Sequence, residues 1–593
     1  MAALLSRRDL DFLLFDWLDA AGLCDRPRFV EHSRETFADA LDLSAQLAAE
    51  RFAPHYRRSD TDEPVLRDGR VRIVPEVKAA IDAFAGTGLI GAAMDHQVGG
   101  FQLPAVVTAA CFAYFQAANI GTAGYPFLTV ANANLLCAHG SADQVETFVP
   151  PMVQGRWLGT MCLSEPQAGS SLADITTRAE PQPNGTHRLT GTKMWISGGD
   201  HEMAENIVHL VLARIVGAPP GVRGISLFIV PKVVPATGQR NDVVVAGLNH
   251  KMGYRGTVNA VLSFGEGGHR PDGRAGAIGY LVGEPNRGLD YMFHMMNEAR
   301  IGVGAGAAAL GYRAHLASVE YARTRPQGRS RASRDPAAPQ VPIIEHADVR
   351  RMLLAQKSYV EGGLALVLYC ARLVDELLTG PDARRRADAQ LLLDLLTPIA
   401  KSWPSSYCLA ACDLAIQIHG GAGYTRDHDV EQLYRDNRLN AIHEGTHGIQ
   451  GLDLLGRKVV MAGGRALVLL REAIGRTAAA ATATGDGELA DHAGRLTAAA
   501  DLVAGTVADL YAVGDIEVTL ANSSLFLDAM GHVVVGWMWL GQAAAVAGQD
   551  PFAQGKRAAA RYFFRYEVPK AVQQLEFLRT GDTTVLTTRP DWF

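Results

Sequence analysis

The sequence predicts an α+β protein built from four consecutive blocks: helical over 1–158, β over 159–285, helical over 286–458 and helical again over 459–593. Three observations predict it. Up to about residue 157, apolar residues recur at helical spacing among interleaved acids and bases, with loops marked by clusters such as DHQVGGFQLP over 95–104. The texture then changes to short β-branched runs, NIVHLVLARIV over 206–216, GISLFIVP over 224–231 and NDVVVAGL over 241–248, each bounded by Gly, Pro or Asn. After Gly288 helical spacing returns, and from about residue 459 the chain is Ala- and Leu-rich helix.

Taken in order, the first block carries no strand pattern. In the β block, Asn184-Gly185 is the strongest hairpin signal, because both residue types tolerate the positive φ of a type I′ turn. In the third block, Val349, Met352, Leu353, Val360, Leu364 and Val367 fall on one helical face. The Arg-, Pro- and Ser-rich stretch over 323–342 reads as a long loop. The last block has a Gly/Asp break at 485–487. Its most apolar stretch, over 533–548, is shorter than about 18 residues and contains Gln542, so a core helix is expected there and no membrane span. No repeat of 20 to 50 residues is apparent.

Composition narrows the function classes. With 593 residues, 48% hydrophobic and 20% charged, the chain can bury a large core. A net charge of -6 argues against wrapping nucleic acid or coating an anionic membrane, both of which demand basic excess. The seven cysteines form no C-x-x-C pair, so neither a disulfide framework nor a metal site is expected, and Cys408 and Cys412 read as buried thiols of an Ala-rich helix. The first residues lack a basic start and a clean apolar region and do not read as a signal peptide, so a cytoplasmic location is expected.

IGVGAGAAALG over 301–311 invites a dinucleotide-fingerprint reading through Gly302, Gly304 and Gly306, but those glycines follow a helical pattern where a strand is required. Small residues that let another helix or a ligand approach closely are the better account. His419-Gly420-Gly421 has no G-x-S-x-G elbow to accompany it. Three other segments reinforce one another. MCLSEPQAGSS over 161–171 is a strand running into a loop of small residues with hydroxyls and exposed N–H groups, suited to an anionic or carbonyl-rich ligand. GTKMWISGG over 191–199 sets Trp195 and Ser197 on one side of a strand, an aromatic wall beside a hydroxyl. QIHGGAGYTRDHDVEQLYRDNRLNAIHEGTHGIQ over 417–450 puts Glu444 in a Gly-rich turn.

In this order these segments resemble the acyl-CoA dehydrogenase family: its T-E-P-x-A-G-S-D, its K-x-W-I-T-N, and its Q-x-x-G-G-x-G followed by I-Y-E-G-T. YARTRPQGR over 321–329 is similar to the family's flavin-binding Y-A-x-x-R. The resemblance covers about residues 80–460, and the C-terminal extension looks like that of the bacterial subgroup of roughly 600 residues. It implies an N-terminal helical domain, a middle β-barrel or sandwich, a helical bundle and an additional helical domain. It also implies FAD, held between the β domain and the C-terminal helices, and an acyl-CoA substrate.

Carried over residue by residue, Met161 to Ser170 line the flavin, with Leu163 and Ser164 near its pyrimidine edge and Gly169 and Ser170 in the loop. Trp195 covers one ring face, the Ser197 hydroxyl faces N5, Arg325 neutralises the pyrophosphate, and Thr446 is a further cofactor contact. Gln417, Gly420 and Gly421 come from a second subunit, which implies a homodimer or a dimer of dimers. Glu444 is the base that takes the α proton, opposite an oxyanion site involving a backbone N–H. Ser170, Asn297, Arg300 and Gly445 are the implied substrate contacts, with a buried structural ion pair as the other reading of Arg300, and an electron-transfer flavoprotein is the implied acceptor. An acyl-CoA oxidase or a flavin-containing binding protein share the same fold. Departures from the pattern are Ser171 for Asp, Ser164 and Ser197 for Thr, His443 for Tyr and His447 for Asn or Ala, with Gly448 lacking an amide side chain. Glu431 and Asp436, also near the motif, read as solvent-facing or paired with Arg435 and Arg438.

Overall fold

The structure is a computed structural model that describes residues 3–330 and 335–593. The chain divides into two compact units: one comprises residues 3–41, 104–117 and 300–593, the other 42–103 and 118–299. The expected N-terminal block therefore belongs partly to each. Residues 331–334 of the loop expected over 323–342 lie outside the described residues.

The second unit holds ten strands: β1 (Val65–Arg67), β2 (Arg70–Arg72), β3 (Trp157–Cys162), β4 (Arg178–Pro181), β5 (His187–Ser197), β6 (Asn206–Ile215), β7 (Ile225–Pro231), β8 (Val243–Leu248), β9 (Asn259–Phe264) and β10 (Ala277–Val282). The strands pair in the order β10-β7-β6-β4-β5-β9-β8, β3 adds to β6, and β10 also pairs with β5. Strands β5, β4, β6, β7 and β10 thus close into a ring, the barrel that the resemblance implies. Both faces are covered, which is why β7 reads as a continuous apolar run. Val211, Ala213, Phe228 and Val230 face one core with Leu189 and Leu262. Val208, Leu210, Leu212, Leu227 and Ile229 face another, with Leu135, Phe148 and Met152.

Two turns correct the sequence reading. A hairpin does join β4 and β5, but Gly185 takes positive φ and Asn184 does not, so the turn is not type I′. The side chain of Asn184 instead accepts from the Thr186 N–H. The type I′ geometry occurs where no strand was expected: Asp68 (φ 52°) and Gly69 (φ 71°) join β1 and β2.

The first unit is helical. Its long helices Ala347–Thr379 and Ala383–His419 run side by side, and the part of helix Gly288–Thr324 that follows Arg300 approaches them closely through its glycines. A Cβ at Gly304 would collide with the Ala400 carbonyl, and one at Gly311 would lie 2.8 Å from Cys408 Cβ. The glycine run over 301–311 is therefore a helix-packing surface, as its helical context requires. Cys408 and Cys412 are buried, as are Met352, Leu353, Val360, Leu364 and Val367, while Val349 packs half-buried at the end of the same face.

The apolar stretch over 533–548 falls, up to residue 545, in a helix that starts earlier than expected, Ser523–Ala545, of 23 residues. It and Ala105–His139 are long and apolar enough to cross a membrane, but 78% of each apolar window is buried in the protein. The Trp539 indole donates to the Ser358 carbonyl at 2.9 Å and the Trp537 indole to Thr477 Oγ1 at 2.8 Å. Helix Ser523–Ala545 is a core helix of this unit.

Candidate functional site

In the β-containing unit, the loop leaving β3 is organised from below by a buried carboxylate. Glu165 accepts from Thr176 N (2.7 Å) and Oγ1 (2.9 Å), from Thr177 N (3.0 Å) and Oγ1 (2.5 Å), and from Lys193 Nζ (2.9 Å). Lys193, fully buried on β5, also donates to the Leu163 carbonyl at 2.9 Å, and Met194 N donates to the Ser164 carbonyl at 2.9 Å. Burial opposes the Glu165 charge, but Lys193 and the hydrogen bonds outweigh it and hold the carboxyl at about 2. This network locks the 161–170 loop to β5. It leaves Met161, Leu163 and Ser164 half-buried and Gly169 and Ser170 exposed. Sequence reading passed over Glu165, Lys193, Thr176 and Thr177. The available signal was a lysine in the midst of a strand.

Strand β5 then bulges against β9 between Lys193 and Ile196. Trp195 sits in the bulge with φ 66° and 57% of its surface exposed. Ile196 is buried between Trp195 and the half-buried Ser197, whose Oγ accepts from Asn259 Nδ2 at 3.4 Å. A left-handed tryptophan costs of order 1–3 kcal/mol, and exposing a large indole forgoes burial. Both are reasons to read the bulge as a built wall for a planar ligand. In the same unit Asn297 is half-buried on helix Gly288–Thr324, next to a Glu298 whose carboxylate accepts from Asn134 Nδ2 at 2.9 and 3.1 Å.

In the helical unit, Glu444 (φ 55°) and Gly445 (φ 93°) form a left-handed pair in the turn before helix His447–Asp453, which the Thr446 hydroxyl caps by accepting from Ile449 N. Glu444 is partly open to solvent, yet protein atoms crowd its carboxyl on enough sides that desolvation pushes it up to about 7, against the lowering fields of Arg300 and Lys401. The two histidines that depart from the motif carry no charge at neutral pH. Burial, with Lys401 nearby, lowers His443 to about 3 and His447 to about 4. Their rings meet Asn440 Oδ1 at 3.1 Å and Ser406 Oγ at 3.0 Å.

Arg300 is buried: its side chain is 4% exposed and its guanidinium pairs with Asp453 at 3.1 Å inside the helical unit, the ion pair that was the other reading of this residue. Arg325, by contrast, is exposed, and among the described residues its side chain has no partner. Gln417, Gly420 (φ 61°) and Gly421 are exposed at the end of helix Ala383–His419, where His419 stacks on Tyr321 at 4.2 Å. Glu431 pairs with Arg435 at 2.7 Å, and Asp436 is buried, not solvent-facing. Among the described residues no cluster could hold a metal ion.

Within the β-containing unit the residues fit FAD: an exposed indole, a hydroxyl beside it and a loop of small residues with uncovered N–H groups. Within the helical unit the exposed Arg325 guanidinium is of the kind that pairs with a pyrophosphate. Models of the acyl-CoA dehydrogenase N-terminal, middle and C-terminal domains match residues 36–156, 160–266 and 286–460, and an acetyl-CoA dehydrogenase C-terminal-like domain matches 470–589. The chain is 38% identical to 3-methylmercaptopropionyl-CoA dehydrogenase of Ruegeria pomeroyi over 92% of each chain. It is 32% identical to the broad-specificity linear acyl-CoA dehydrogenase FadE5 of Mycobacterium tuberculosis over 98% of each. Its fold is shared with an acyl-CoA dehydrogenase of Bacillus anthracis complexed with FAD (TM-score 0.74, 20% identity, 98% of this chain and 93% of that one). Caenorhabditis elegans ACDH-11 in complex with C11-CoA shares it too (TM-score 0.77, 19% identity, 94% and 89%). The chain belongs to the acyl-CoA dehydrogenase family, FAD-dependent oxidoreductases that act on the CH–CH bond of acyl-CoA thioesters.

Proposed function

We propose that this protein converts an acyl-CoA to its trans-2-enoyl-CoA with Glu444 as the base, and that the electrons pass to an electron-transfer flavoprotein. The observation that carries the assignment is the Glu444 carboxyl at about 7 in a turn of left-handed backbone. A base poised near the working pH keeps a useful ionised fraction and still has driving force to take a carbon-bound proton. FAD, when bound, supplies the acceptor for the hydride that leaves Cβ. Glu444 removes the proton from Cα. Exposed N–H groups of the turn provide hydrogen bonds for the thioester oxygen as negative charge develops there.

The exposed loop of Gly169 and Ser170, the Trp195 wall with Ser197, and the exposed Arg325 support assigning these residues to the cofactor. The exposed Gln417, Gly420 and Gly421 support a role toward a second copy of the chain, hence a homodimer or a dimer of dimers. The four matched segments support a four-domain division near residues 158, 285 and 458. The likeness to the Ruegeria and Mycobacterium enzymes favours a linear acyl chain, 3-methylmercaptopropionyl-CoA among the candidates. The test is anaerobic bleaching of the flavin by an acyl-CoA panel with the parent and Glu444→Gln. The parent bleaches. The variant keeps FAD and loses at least the roughly 10²- to 10⁴-fold that a general base contributes. Bleaching of Glu444→Gln at the parent rate would overturn the assignment.

A further inference from the structure

Two consecutive left-handed residues turn the carbonyls of Glu444 and Gly445 away from the regular helix on either side, and each carbonyl is met by a buried side chain from elsewhere. Gln450 Nε2 donates to the Glu444 oxygen at 3.0 Å. Lys401 Nζ donates to the Gly445 oxygen at 2.6 Å. Neither side chain is exposed at all. Lys401 comes from the middle of helix Ala383–His419 and Gln450 from helix His447–Asp453, so the turn is gripped from two directions.

Lys401 is the unusual member. Among the described residues no carboxylate lies within ion-pairing distance of its ammonium, and the hydrogen bond it makes is to the Gly445 carbonyl. A buried lysine without a counter-ion is costly, and an apolar side chain of the same length would suit a helix core better. What the lysine adds is a strong donor and a positive charge beside Glu444. Burial lowers its own pKa to about 8, Glu444 opposing that shift and Arg300 adding to it.

We propose that Lys401 and Gln450 are positioning residues for the dehydrogenation: they hold the Glu444–Gly445 turn by its two carbonyls, and Lys401 also favours the ionised form of Glu444. This rests on Glu444 being the base. The other charges that face the carboxylate are accounted for. Arg300, from helix Gly288–Thr324, is paired with Asp453, which Arg457 also engages. His443 and His447 are neutral, and Arg438 and Asp528 act on His447.

The test measures flavin bleaching by acyl-CoA against pH, anaerobically, for FAD-loaded Lys401→Met, Lys401→Arg and Gln450→Met. Lys401→Met is expected to slow bleaching at pH 7 about tenfold or more and to move the acid limb to higher pH, because both grip and charge are lost. Gln450→Met is expected to slow it at every pH with the limb unmoved, since only grip is lost. Lys401→Arg keeps the charge and leaves the limb in place. A Lys401→Met enzyme that retains FAD and bleaches within about twofold of the parent, with an unmoved limb, overturns the proposal. Should Lys401→Met lose its flavin, Lys401→Arg and Gln450→Met decide: parent-like rates in both overturn the proposal, and slowed rates with parent-like limbs support it. Glu444→Gln, run in parallel, separates this from the assignment of the base: if it still bleaches, that assignment has failed whatever Lys401 does.

Discussion

The environment of Glu444 fixes a pH dependence that can be worked in advance. Its carboxyl is raised to about 7, burial being the largest cause, and a raised acid loses its charged form as pH falls through that value. At pH 6 about a tenth of the carboxyl is ionised, at pH 7 about half and at pH 8 about nine-tenths. The thioester does not titrate here, and His443 and His447 are already neutral above pH 5. The second-order rate of flavin reduction should therefore rise about tenfold between pH 6 and pH 8, since kcat/KM reports the free enzyme. Lys401, at about 8, releases its own proton near the top of this range, so the plateau belongs to the pair and not to Glu444 alone. The assay is anaerobic stopped-flow bleaching at acyl-CoA concentrations well below KM. A rate flat from pH 5.5 to 8.5 would refute the reasoning, because it would mean that the catalytic carboxylate keeps an ordinary solvated pKa.

Trp195→Ala should lower FAD retention without lowering Tm in the absence of flavin, because the indole is mostly exposed and supports no core; the absorbance ratio of flavin to protein and a thermal scan check this. Lys193→Met leaves Glu165 buried without its counter-ion, which costs about 3–5 kcal/mol, and should loosen the 161–170 loop so that Tm and flavin content fall together. Unchanged values of both would show that the threonine donors suffice. Gly451→Ala places a methyl 2.7 Å from the Ser523 carbonyl, an overpacking of about 1–3 kcal/mol, and should lower Tm and slow bleaching because the same helix carries Gln450. A Tm within a degree of the parent would argue against it.

The β block was legible because its strands are covered on both faces and so carry continuous β-branched runs such as 225–231. The β1–β2 hairpin was not, because three-residue strands bearing Arg67, Arg70 and Arg72 contain no apolar run; only Asp68-Gly69 announced it. At 184–185 the place of the hairpin was legible and its geometry was not, since Asn184 uses its side chain to bond Thr186 and keeps its backbone out of the left-handed region. The site shows the same division. Trp195 and Glu444 stand in contiguous motifs that a linear reading can find. Their supports come from far along the chain: Lys401 reaches a carbonyl 44 residues away and Lys193 a carboxylate 28 residues away. The partner of Arg300 was hidden for the same reason, Asp453 lying 153 residues on.

The residues after 459 are tied to the preceding helices by more than apolar contact. Lys556, fully buried on helix Pro551–Tyr562, pairs with Asp9 and, at 2.9 Å, with Glu361, which Lys357 also engages. Tyr312 donates to the free side of Asp9 at 2.9 Å, and Lys556 donates to Gln542 Oε1 at 2.8 Å. Two carboxylates and two ammonium groups cancel, so the cluster is neutral inside the core, although burial and Glu361 together still push Asp9 upward. Such a cluster stabilises little compared with an apolar one, but losing one member leaves uncompensated charge, which makes alternative packings costly. It joins residues at the N-terminal end, helices Gly288–Thr324 and Ala347–Thr379, and the C-terminal helices. This is why residues 3–41 belong with the helical unit despite their distance in sequence. Helix Ser523–Ala545, held in place by Gln542 and the two tryptophan donors, then presents Ser523 against Gly451 on the helix that follows Glu444. A disturbance of the C-terminal helices therefore has a direct mechanical route to the turn that carries Glu444.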